Sequence, residues 1–145
     1  MSRIKRSAFT AATFGATAPL IASCAYAVLA MIVSMIGGGM GAEILLGVFW
    51  LLPFAYVLAG LPAALSGAAL GALLDPRSGW PFILAAAGAG ALVAFGIGFF
   101  DAERPEVTEG VLNMALIGAV SGFGSGVTSS RLSRRRKKPD ASNAS

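Results

Sequence analysis

The chain is predicted to be an all-α, polytopic membrane protein: a bundle of four transmembrane helices with both termini on the cytoplasmic side. Three observations predict this. Of the 145 residues, 56% are hydrophobic and only 12% charged, against about a quarter charged in ordinary soluble domains. The apolar residues fall in blocks about as long as a bilayer is thick, whereas a soluble core helix needs an apolar face over only part of its circumference. The lysines and arginines gather at alternate ends of those blocks, the pattern of a chain sorted across a membrane.

Residues 1–17 read as a basic cytoplasmic N-terminus carrying Arg3, Lys5 and Arg6. A first span is expected over about residues 18–36, with Pro19 in its first turn, where a missing N–H costs little. The run Gly37-Gly38-Gly39-Met40-Gly41 stops it, since clustered glycines serve turns better than helices. A second span is expected over about 44–65, with an extension to 74. As ideal helix, Ile44 to Leu74 is about 46 Å long against a hydrocarbon core of roughly 30 Å. Pro53 and Pro62 are therefore the candidate kinks, each depriving an upstream carbonyl, of Phe49 or Leu58, of its bond.

Asp75-Pro76-Arg77-Ser78-Gly79 is a turn by composition, and Trp80 beside it is the residue type expected at headgroup depth. Spans three and four follow at about 81–100 and 107–127, with Pro105 and Glu106 suited to the first turn of the last helix. The transmembrane domain is thus 18–127, and 128–145 is expected to be a basic, disordered cytoplasmic tail. With four spans, ten of the eleven lysines and arginines lie on one side and only Arg104 on the other. The positive-inside rule then puts both termini in the cytoplasm. That bias sets the chain apart from small multidrug exporters and fluoride channels that work as antiparallel pairs, and the first span lacks the embedded glutamate such exporters need.

Several residue patterns bear on function. Gly90, Ala94 and Gly98 in span three, Gly118, Gly122 and Gly126 in span four, and Gly60, Ala64, Ala68 and Ala72 in helix two recur every four residues. Such ridges let backbones approach closely in lipid, either within one bundle or between copies. Glu106, Glu109 and Asn113 share a face of helix four nearly opposite its glycine ridge. They read as an interfacial acidic cap or, in an oligomer, as a polar pathway. Ile21-Ala22-Ser23-Cys24 resembles a bacterial lipoprotein cleavage box, but the apolar run continues past it, so an uncleaved span with a buried Cys24 is expected. Arg131, Arg134, Arg135, Arg136, Lys137 and Lys138 anchor the C-terminus inside and suit anionic lipid headgroups.

With no His and one Cys, the chain lacks the usual ligands of zinc, haem and iron-sulfur groups and any His acid-base pair. No metal, cofactor, catalytic residue or nucleic-acid partner is expected. The reading is a small multi-pass protein of the bacterial inner membrane, structural, accessory or regulatory, partnered by the lipid bilayer and by copies of itself or another membrane protein. The alternatives are an oligomeric channel or small-solute transporter, and a holin-like permeabilising protein.

Overall fold

The computed structural model describes residues 2–37, 41–100 and 108–135. Among these residues the protein is all-helical, with no strand: α1 (Arg3–Gly37), α2 (Gly41–Leu73), a single 3-10 turn (Pro76–Ser78), α3 (Trp80–Phe100) and α4 (Thr108–Arg135). Three segments, Arg3–Ile36, Trp80–Ile97 and Gly110–Arg135, are long and apolar enough to cross a membrane, and Ala59–Leu73 is a shorter apolar stretch of α2.

Two helices run further than the sequence suggests. Helix α1 begins at Arg3, so Pro19 lies inside it and not in a first turn. The cause is tertiary: Thr10 and Phe14 are buried against neighbouring helices, and packing of this kind outweighs local propensity. The threonines of this stretch turn inward on their own helix, Thr13 donating to the Phe9 carbonyl at 2.9 Å and Thr17 to that of Thr13 at 2.7 Å. Proline at position 19 leaves the Gly15 carbonyl without its helical donor. One residue along, the Tyr56 hydroxyl of α2 donates to the Ala16 carbonyl at 2.8 Å.

Helix α4 likewise continues through Arg135, where a disordered tail was expected to begin at residue 128. The extra turns are held because Ser129, Ser130 and Ser133 are buried against the rest of the bundle. Helix α2 is continuous through both Pro53 and Pro62, and Cys24, expected to be buried, is exposed on α1.

The helices alternate in direction. Helix α1 packs on α2 and on α4, α4 also packs on α3, and α2 meets α3 far less. Position by position, Thr10 lies beside Gly71, Phe14 beside Gly67 and Gly15 beside Ala64, while Gly90 faces Gly118 and Ala86 faces Gly122. The N-terminus of α1, the turn after α2 and the C-terminus of α4 therefore share one end of the bundle. A small aromatic core sits near that end: Phe14 meets Phe82 edge-on, with ring centroids 6.4 Å apart, and Ala86, Leu70 and Leu74 close around them.

Elsewhere large apolar side chains face outward, including Ile36, Trp50, Leu73 and Leu92. A water-soluble domain rarely exposes contiguous apolar surface on this scale.

Candidate functional site

Two constructions distinguish this bundle: a line of hydroxyls between α1 and α4, and a charged junction at its basic end. Ser121, Ser125, Ser129 and Ser133 recur every four residues, which puts them on one face of α4, and all four are buried. The Ser125 hydroxyl lies 2.9 Å from that of Thr17 and donates to it, since the Thr17 O–H is directed at the Thr13 carbonyl. The Ser121 hydroxyl donates to the Ala18 carbonyl at 2.7 Å, and Gly124 leaves room for Ile21 beside it. In lipid, where apolar contact gives little advantage over solvent tails, such bonds and close approach are what hold helices together.

The junction is built around a turn. Asp75 caps it, its Oδ1 accepting from the Arg77 N–H at 3.0 Å, with Pro76 in the position where a missing donor is harmless. Gly79 closes it at φ 78°, a left-handed conformation that a side chain strains. A Cβ there would also lie 2.9 Å from Nη2 of Arg134.

Three separated segments bond across this turn. Arg6 Nη1 pairs with Asp75 Oδ2 at 3.3 Å, Arg77 Nε donates to the Ser133 carbonyl at 3.3 Å, and Arg134 Nη2 donates to the Arg77 carbonyl at 3.4 Å. The backbone N–H of Arg77, aided by the charges of Arg6 and Arg77, holds the Asp75 carboxyl below its ordinary value, against the opposing effect of burial. Arg6, Phe9, Asp75, Pro76, Arg77 and Ser133 line a small cleft here, of about 30 Å³.

Gly60, Gly90, Gly118, Gly122 and Gly126 of the small-residue ridges lie where helices meet. A side chain at Gly90 would collide with the Gly118 backbone, and one at Gly122 with the Ala86 carbonyl. Gly126 stands 2.9 Å, at its would-be Cβ, from the Cβ of Ala86, and that of Gly118 falls against Ala94. On α2, Gly60 and Ala64 approach Gly15 of α1, and the Ala68 carbonyl accepts from the Ser7 hydroxyl at 2.8 Å. Ala72 is exposed, and Asn113 is exposed on α4. Glu106, Arg136, Lys137 and Lys138 lie outside the described residues, as do the burial of Gly98 and the side chain of Glu109; Arg131, Arg134 and Arg135 are exposed on the last turns of α4.

Among the described residues, no group of three or more His, Cys, Asp or Glu is placed to hold a metal ion. No protein-family model, curated protein or solved structure matches this chain. The apolar helices are compatible with membrane insertion.

The hydroxyl line was missed in the sequence although its signal is there. Serine at 121, 125, 129 and 133 has the same four-residue repeat as the neighbouring glycines, offset by one position.

Proposed function

We propose that this chain is a small integral protein of the bacterial inner membrane, with four spans and both termini cytoplasmic, serving a structural, accessory or regulatory role. The observation that carries the reading is the junction of Arg6, Asp75, Arg77 and Ser133 at one end of the bundle. It gathers three segments that hold most of the basic residues, so the positive-inside rule acts on all of them together. The outward apolar side chains give the bundle a surface suited to lipid or to an intramembrane partner.

Helix α2 supplies the fourth span in this reading, because only an even number of crossings leaves both basic ends on one face. Single cysteines at Ser78 and Ala102, in a Cys24→Ser background, test it with a membrane-impermeant maleimide. Labelling at position 102 in intact spheroplasts, and at 78 only after lysis, is the expected result. The reverse pattern overturns the topology.

The accessory role is tested by crosslinking in native membranes and by flux assays in liposomes. Recovery of a stoichiometric membrane-protein partner or of a defined homo-oligomer supports it. Ion or solute flux above that of empty vesicles, abolished by Asn113→Leu, replaces it with the transport alternative.

A further inference from the structure

We propose that the cleft beside Arg6 and Arg77 binds the phosphodiester headgroup of an anionic phospholipid in the leaflet at the basic end of the bundle. The proposal rests on the membrane placement above and adds a defined site to it. Arg6 is held at one edge by Asp75 through Nη1, while its Nε is buried with no hydrogen-bond partner. A buried donor of this kind is costly to leave unmade, and a guanidinium edge matches the paired oxygens of a phosphate. Arg77 lines the same cleft and Arg134 reaches the same turn, so three arginines outweigh the single carboxylate of Asp75.

Depth and surroundings select a lipid over a free anion. Trp80 follows the turn directly and is 66% exposed, and an exposed indole of this kind sits at headgroup level. Its ring lies against Phe123, with centroids 6.3 Å apart. Leu73 and Leu132 are exposed at the same end of the bundle. They offer acyl chains an apolar surface, for which inorganic phosphate has no use.

Trp80 also supplies the readout. In a Trp50→Phe background, quenching of Trp80 by phosphatidylglycerol with brominated chains is compared with quenching by brominated phosphatidylcholine in mixed micelles. The wild-type cleft gives preferential quenching by the anionic lipid. Arg6→Gln or Arg77→Gln weakens that preference about fivefold, the effect of losing about one favourable cation contact at an anionic surface. Lys5→Gln, exposed and outside the cleft, leaves it within about twofold, because a solvated charge away from the bound headgroup is largely screened.

Because Arg6→Gln also breaks the ion pair, Asp75→Asn is the second variant. It removes the competing carboxylate and strengthens the preference for phosphatidylglycerol, whereas a purely structural Asp75 gives no gain. Equal losses at positions 5, 6 and 77, or no gain with Asp75→Asn, overturn the site. Release of the lipid by millimolar inorganic phosphate overturns the lipid as occupant. Maleimide labelling of position 78 from outside, with the lipid preference intact, sinks the topology and leaves the cleft standing.

Discussion

The hydroxyl of Thr17 on α1 and the hydroxyl of Ser125 on α4 hydrogen-bond at 2.9 Å, joining residues 108 positions apart. It sits midway along the hydroxyl line and ties the first hairpin to the second. Thr17→Val and Ser125→Ala should each destabilise the bundle by about 1 kcal/mol, with a coupling of about 0.6 kcal/mol in the double variant. Unfolding in mixed SDS micelles measures all four species. Strict additivity would show that the two hydroxyls do not act on each other.

At Gly118 and Gly88 the same substitution should have opposite signs. A Cβ at Gly118 would strike the Gly90 carbonyl, whereas at Gly88 it meets nothing within 4 Å. Gly118→Ala is expected to cost about 2 kcal/mol through overpacking. Gly88→Ala is expected to gain about 0.5 kcal/mol from the lower backbone entropy of alanine in a helix. Thermal unfolding of both variants in one detergent checks the contrast.

Tyr56 supports α1 at its internal proline. Tyr56→Phe keeps the ring and removes the donor to the Ala16 carbonyl, so it should destabilise by about 1 kcal/mol. The helical content by circular dichroism should stay unchanged, because the bond joins two helices and does not form either. In a Pro19→Ala background the loss should shrink, since Leu20 and its neighbours then close the helix without distortion.

Asp75 gives the basic end a pH dependence whose sign is fixed. Its carboxyl is lowered from 3.8 in the folded protein, so between the two values the unfolded chain binds more protons than the folded one. Its stabilising contribution is present in full above about pH 5, and is lost as pH falls through 3.8 and then through the lower folded value. The melting temperature should decline over that range, and Asp75→Asn should flatten the decline. An unchanged slope in the variant would assign the acid sensitivity to other carboxylates.

The helical class and the close approach of small residues were legible because both depend on patterns within one segment. Gly118 and Gly122 announce a close approach by their spacing alone, whichever helix comes to meet them. The start of α1 was not legible, because Arg3 to Thr17 is stabilised by burial of Thr10 against α2 and of Phe14 against α2 and α3, contacts that no local pattern specifies. The same holds for Ser129 and Ser133, which extend α4 by packing on distant residues. Pro19 misled for a related reason: proline usually marks a helix start, but here Tyr56 lies against the disturbed turn. Asp75 to Gly79 was readable as a turn from composition, while its role as a junction required knowing that Arg6 and Ser133 arrive beside it.

The order in which these helices touch governs how the protein is made. Helices α1 and α2 form one hairpin and α3 and α4 another, each from neighbours that leave the ribosome in succession. The bond between Thr17 and Ser125 joins an early part of the chain to a late one, and that from Arg77 to Ser133 joins its middle to the same late helix. The two hairpins can therefore form separately, but the finished bundle must await translation through Ser133. A nascent chain arrested before that point leaves the Arg77 side chain without the carbonyl it donates to.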